Sequence, residues 1–151
     1  MCSSDLFERE QLATWNGTAR STAGLAWHEM VAAQANATPA AVAVRAGIEE
    51  LTYAQLMARA ATIADGLRSR GIAQGDVVGV FVERSADMVA AMLGAALCGA
   101  AYLPLDPAFP ADRLEYMVQD AGAAVIITDD ALRSAAERFD APTIVVGLFM
   151  L

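Results

Sequence analysis

The sequence predicts an α/β fold organised as a doubly wound parallel sheet. Short apolar runs alternate with segments of helical period along the whole chain, the pattern that parallel pairing with crossover helices produces. One of those runs, Val77-Val78-Gly79-Val80-Phe81-Val82, is apolar without a break, as expected of a strand covered on both faces. The third observation is compositional. Of 151 residues, 56% are hydrophobic and 19% charged, enough to build a sizeable core.

The elements follow in order. Residues 5–14 read as a short helix with Asp5 near its start, ended by Trp15-Asn16-Gly17-Thr18, and residues 16–24 as a polar linker. A helix over 27–37 has Trp27, Met30, Val31 and Ala35 at helical spacing, and this stripe is expected to face the core. Ala41–Val44 reads as a strand with Gly47 in the turn after it. Thr52-Tyr53-Ala54-Gln55 fits a capping box, in which a hydroxyl and an amide satisfy free backbone donors. Tyr53, Leu56, Ala60, Ile63 and Leu67 then repeat at helical spacing, with Arg59, Asp65 and Arg68 on other faces. Arg68 and Arg70 suit the C-terminal end of the dipole, and Gly71 suits the C′ position.

After the strand 77–82, Ser85 is placed to cap a helix over 86–98, apolar nearly all round and so buried. Ala101–Leu105 is the next strand, and Pro110 stands where a first helical residue would. Leu114, Met117, Val118 and Ala121 form the apolar face of that helix, which Gly122 ends. Val125–Ile127 is a strand, Asp129 or Asp130 caps a helix reaching about Arg138, and Thr143–Val146 is the last strand. Between Asp87 and Asp106 lie eighteen uncharged residues. Gly99 and Pro104 interrupt them, so they read as buried helix, turn and strand rather than a membrane span.

Composition excludes several functions. The net charge of −8 leaves no basic footprint for nucleic acid or for an anionic membrane. All ten basic residues are arginine. Without lysine there is no phosphate loop ending in Gly-Lys-Ser/Thr, no Schiff-base lysine and no lysine general base. Cys2 and Cys98 have no metal or redox spacing and read as reduced cytoplasmic thiols. The start MCSSDLFERE has no apolar signal region.

The carboxyl ends of the strands are where such a sheet holds ligands. They carry Glu83-Arg84-Ser85, Asp106-Pro107 and Thr128-Asp129-Asp130, none of them glycine-rich. Gly94 and Gly99 fall within or at the end of a helix, the wrong context for a dinucleotide loop, and read as helix-packing positions. His28 is the only histidine; no nucleophile accompanies it, so it reads as a surface or packing residue. Asp129 and Asp130 have the chemistry to hold Mg²⁺, yet adjacent acids opening a helix are ordinarily caps. Glu49-Glu50 reads as a solvated turn, and Asp106 as a turn residue bonding nearby amides. No catalytic, cofactor-binding or metal-binding residue is assigned.

Two motifs carry a resemblance. Leu51-Thr52-Tyr53-Ala54-Gln55-Leu56 resembles the first core motif of the adenylation domains of nonribosomal peptide synthetases, members of the AMP-dependent synthetase and ligase superfamily. Leu97-Cys98-Gly99-Ala100-Ala101-Tyr102-Leu103-Pro104-Leu105-Asp106 resembles the second, with Cys98 where the family commonly has lysine. Between and after them, Arg70-Gly71, Gly75-Asp76, Glu83-Arg84-Ser85, Pro107, Pro110, Arg113-Leu114 and Thr128-Asp129 stand in the family's order. Upstream, Trp15-Asn16 with Thr18-Ala19 resembles the linker joining a condensation domain to an adenylation domain. His28-Glu29-Met30, Gln34 and Pro39 resemble the family's first helix. The resemblance implies two parts: residues 1–24, a short helix and interdomain linker, and 25–151, the incomplete N-terminal part of an adenylate-forming domain.

The resemblance further implies a parent enzyme that uses ATP and Mg²⁺ to join an amino acid to AMP and then loads a carrier protein. Its partners would be a condensation domain upstream and the rest of the adenylation domain and the carrier protein downstream. The family's phosphate-binding loop with its lysine, its substrate pocket and its C-terminal lysine come later than residue 151, so no ATP site and no activity are expected of this chain alone. Gly147-Leu148-Phe149-Met150-Leu151 departs from the polar loop expected there, as a truncated reading frame would. Poor solubility is expected of an incomplete sheet. The alternatives are a fragment of an acyl- or aryl-CoA ligase, a free-standing non-catalytic interaction domain, and a chain retaining no function. The Trp15-Asn16 linker favours the synthetase.

Overall fold

The computed structural model describes residues 3–18 and 24–146, with side chains from residue 7 onward. Helices α1 (Ser3–Asn16) and α2 (Trp27–Ala37) precede a hairpin of β1 (Val42–Ala46) and β2 (Glu49–Thr52). Then follow α3 (Tyr53–Arg68), β3 (Val77–Phe81), α4 (Ala86–Leu97), β4 (Ala101–Pro104), α5 (Ala111–Ala121), β5 (Val125–Thr128), the short α6 (Arg133–Ala136) and β6 (Thr143–Val145). Strands β3 to β6 form one parallel sheet in the order β4-β3-β5-β6.

Residue alternation along the strands explains the two layers. Val78, Val80 and Val82 with Val125, Ile127 and Ile144 point to one face, where α3 and α4 cover them with Leu56, Ile63, Leu67 and Leu93. Phe81 and Ile126 point to the other, against Leu114 and Val118 of α5, with Ala136 and Phe139. The Phe81 and Phe139 rings meet edge to face at 5.2 Å. Connections leave β3 and β5 in opposite directions across the sheet, so a doubly wound α/β sheet is present, with both faces covered at β3.

Local chemistry sets the boundaries. The Thr52 hydroxyl accepts from Gln55 N at 3.3 Å, and Gln55 Oε1 accepts from Thr52 N at 2.9 Å, completing the capping box of α3. Ser85 caps α4 by accepting from Met88 N. Every residue of α4 is buried or half-buried. Arg70 donates to Gly66 O at the end of its own helix, whereas Arg68 reaches across to Leu97 O at 2.6 Å and satisfies the end of α4.

Several expectations are corrected. The segment read as one strand with a solvated Glu49-Glu50 turn is an antiparallel hairpin, set apart from the main sheet. Gly47, at φ 62°, makes its two-residue loop with the exposed Ile48. The α2 stripe is only partly buried. Ala35 is in the core, but Met30 and Trp27 are 59% and 45% exposed, because α2 lies at the margin of α3 and α4 rather than on the sheet. Pro110 is the N-cap of α5, not its first residue. The C-cap of α3 is Ser69, so Gly71 falls one position beyond C′, at φ 82°. Instead of a helix to Arg138, only four residues of α6 are helical, and their N-cap is Leu132.

Helices α3 and α4 touch at Gly94. A Cβ there would stand 2.8 Å from Ile63 Cγ2 and 3.0 Å from Ala60 O, so the packing role expected of this glycine holds. Gly94→Ala is expected to destabilise the chain by about 1–3 kcal/mol, as overpacking a tight contact does, read from urea denaturation. An unchanged midpoint would show that the helices separate freely there.

Candidate functional site

The order β4-β3-β5-β6 puts the point of chain reversal between β3 and β5, the place where an open α/β sheet presents a crevice. In this chain a side chain bridges the two strand ends there. The Asp129 carboxylate leaves the end of β5 and accepts from Glu83 N, beyond β3, at 2.9 Å. Its other oxygen accepts from Leu132 N at 2.8 Å, closing the turn into α6. Both oxygens are thus occupied by backbone donors. Asp129 serves as a turn-former and cross-strand tie, 46 residues from its partner in sequence, and not as the N-cap of α6. Asp130 makes no such tie among the described contacts.

A second concavity lies at the ends of β3 and β4. About 430 Å³ of space is enclosed by Val80, Met88, Met92, Leu105, Pro107 and Phe109, with Arg84 and Asp106 at the mouth. Arg84 Nη2 donates to Asp106 Oδ2 at 3.2 Å, and Ala108 N donates to Oδ1 at 2.9 Å. The turn role read for Asp106 is therefore present, with a cation added to it. Those hydrogen bonds, the Ala108 amide first and Arg84 second, hold the Asp106 carboxyl below the usual aspartate range. The walls are otherwise apolar, so no convergent polar groups await a substrate.

The remaining candidates are dispersed. His28 is half-buried on α2, edge-on to Trp27 at 6.1 Å. Trp27 in turn meets Tyr102 of β4 edge-on at 6.1 Å. Cys98 donates to Ala64 O at 3.2 Å; burial, the largest influence, raises its thiol pKa, so it stays protonated at neutral pH. Cys2 lies outside the described residues. Gly99 adopts φ 78° after α4 and packs on Gln74. Glu49 and Glu50 are paired rather than merely solvated: Glu50 with Arg45 and Glu49 with Arg59, each at 2.8 Å. Arg59 also binds Asp87 at 2.8 Å, tying β2, α3 and α4 together. Helical spacing places Arg59 off the core face; nothing in the spacing points to a partner 28 residues away.

The sequence holds no lysine, each oxygen of the Asp129 carboxylate accepts from a backbone amide, and no group of three metal-capable residues occurs among the described residues. Nor is any described helix long and apolar enough to cross a membrane.

Two outcomes are expected. Asp129→Ala frees two amides at once and should cost about 1–3 kcal/mol, the range for a hydrogen bond to a charged acceptor; chemical denaturation measures it, and a neutral result would mean that water replaces the tie. In an NMR carboxyl titration, Asp106 should ionise below the usual aspartate range. Arg84→Gln should leave part of that depression, since the Ala108 amide, its largest single cause, remains. For a lowered folded pKa, the contribution to stability is present above the unfolded value and lost as pH falls through the folded one.

Residues 31–148 match the AMP-binding enzyme family. A linear gramicidin synthase of Brevibacillus parabrevis is 44% identical over 127 residues, covering 83% of this chain and 2% of that protein. A plipastatin synthase of Bacillus subtilis (strain 168) is 37% identical over 140 residues, 92% of this chain and 6% of the synthase. The AMPPNP-bound form of the nonribosomal peptide synthetase FmoA3 superposes with a TM-score of 0.81 at 35% identity, over 91% of this chain and 15% of that one. The O-succinylbenzoate coenzyme A synthetase of Bacillus subtilis, at 22% identity and a TM-score of 0.72, shares the fold. The chain spans only a few per cent of the curated synthases it matches. With this sequence match, this sheet and this span, the chain belongs to the AMP-binding enzyme family, as a partial adenylation domain of the nonribosomal peptide synthetase type.

Proposed function

We propose that this chain is the front of an amino-acid-activating domain and catalyses nothing by itself. In the parent enzyme, ATP with Mg²⁺ would activate an amino acid as its adenylate, releasing pyrophosphate, and a carrier-protein thiol would then take the aminoacyl group. Residues 1–24 would connect to a condensation domain, and 25–151 would begin the adenylation domain. A cytoplasmic location accords with such a synthetase.

One observation carries the reading: the identity to peptide synthases spans most of the chain, while the ends of its sheet are committed to structure. Phosphoryl and adenylyl chemistry rests on positioning and on neutralising developing charge. Here Asp129 is bonded to backbone amides, and Asp106 to an amide and to Arg84, and there is no lysine to supply the charge. The coenzyme A ligase alternative rests on a fold likeness at 22% identity, well below the 44% found with the gramicidin synthase.

The purified chain, assayed with the proteinogenic amino acids, should show no amino-acid-dependent exchange of pyrophosphate into ATP above a no-protein blank. Saturable exchange with any one of them would overturn the proposal.

A further inference from the structure

Helix α4 packs over β3 and β4, but near the carboxyl ends of these strands the packing leaves a space. About 430 Å³ opens there between Val80, Met88, Met92, Leu105, Pro107 and Phe109, within the size range of small-molecule sites. Met88 and Met92 stand one turn apart on α4 and are half-buried, and their unbranched thioether chains adapt to irregular apolar shapes. The wall beyond β4 is fixed in advance. Asp106 Oδ1 accepts from Ala108 N at 2.9 Å, and Phe109 N donates to Asp106 O at 2.9 Å, closing the turn that carries Phe109. Arg113 lies over the Phe109 ring, 4.2 Å from its centroid, a cation–π contact that holds the ring in place.

The mouth decides what would enter. Each oxygen of Asp106 already has a partner, Ala108 N on one and Arg84 on the other. Arg84 spends only Nη2 on Asp106, and its side chain is 86% exposed. The rest of its planar fork of N–H donors is engaged by no other group among the described contacts, so the unspent polar capacity at the mouth is that of a donor with a permanent positive charge. Asp106 does not exhaust it. Arg59 of this same chain bridges two carboxylates, Glu49 and Asp87, each at 2.8 Å. The net charge of −8 repels anions in general, so an anion held here is held by this local cation. We propose that the cavity binds a free medium-chain carboxylic acid, its alkyl chain among Met88, Met92 and Phe109 and its carboxylate on Arg84 beside Asp106. No bond is made or broken, and the site does not depend on the functional reading above.

The test titrates decanoate, below its micellar concentration and without nucleotide, into the full chain by isothermal calorimetry. Saturable one-to-one binding is expected. Octanoate should bind roughly fifteenfold more weakly, since each buried methylene is worth about a fourfold change. Arg84→Gln, at an exposed position, should weaken decanoate about tenfold or more, the scale of a hydrogen bond to a charged group, and leave the binding of 1-octanol unchanged. Arg45→Gln, on the hairpin and outside the cavity lining, should bind decanoate as the unsubstituted chain does. With ¹³C-labelled methionine methyl groups, the NMR signals of Met88 and Met92, assigned from their leucine variants, should move with decanoate while those of the other methionines stay. Far-UV circular dichroism checks the fold of every variant. A flat isotherm, or binding at many sites without movement of the Met88 and Met92 signals, would overturn the site. Decanoate binding that Arg84→Gln leaves unchanged, or that Arg45→Gln weakens equally, would overturn the assignment of the carboxylate to Arg84 and the proposal with it.

Discussion

Burial of β3 is the constraint on which the rest of the molecule depends. Val78 and Val80 are 0% and 3% exposed beneath α4, and Phe81 is 3% exposed on the opposite face. The strand pairs with β4 on one side and β5 on the other. Fully burying each such side chain contributes roughly 1.5–3 kcal/mol, and α4, α5, β4 and β5 are placed by how they cover or extend this strand. Gly79 completes the arrangement. A Cβ there would stand 2.5 Å from Ile126 Cδ1, so the missing side chain is what lets Ile126 and Leu105 close over the second face.

Polar groups serve the same end. Arg59 links the hairpin to two helices, Arg68 finishes α4 from α3, and Asp129 ties β3 to β5. Each sits where a side chain with chemistry to perform would be noticed, and each is already engaged. The carboxylate at the reversal point of the sheet is the clearest case: its position suggests a ligand site, and its hydrogen bonds explain why it is a structural tie instead.

What is legible in the sequence is local. Thr52 and Gln55 announce a helix start three residues apart, and the unbroken run from Val77 announces a strand covered on both faces. Apolar residues all round α4 announce its burial. The hairpin escapes a local reading because Glu49 and Glu50 carry the charges of a turn, while their strand is fixed by cross-strand pairing and by Arg59. The burial of α2 is less than its pattern suggests because helical period shows that a stripe exists and not whether anything covers it. The helix α6 is shorter than expected because a pair of aspartates signals a turn as readily as a cap. The ties from Arg59 to Asp87 and from Asp129 to Glu83 join residues 28 and 46 positions apart, and sheet order depends on pairings between strands distant in sequence, beyond the reach of any local pattern. The family, by contrast, is readable from the two motifs around Thr52 and Pro104, and the membership of the chain among AMP-binding enzymes agrees with it.

The proposal is therefore that the fold of an adenylating enzyme is present here without a complete nucleotide site. Isothermal titration of ATP with Mg²⁺ into the folded chain tests that separation most directly. A flat isotherm up to millimolar nucleotide is the predicted result. Saturable one-to-one binding in the micromolar range would contradict it.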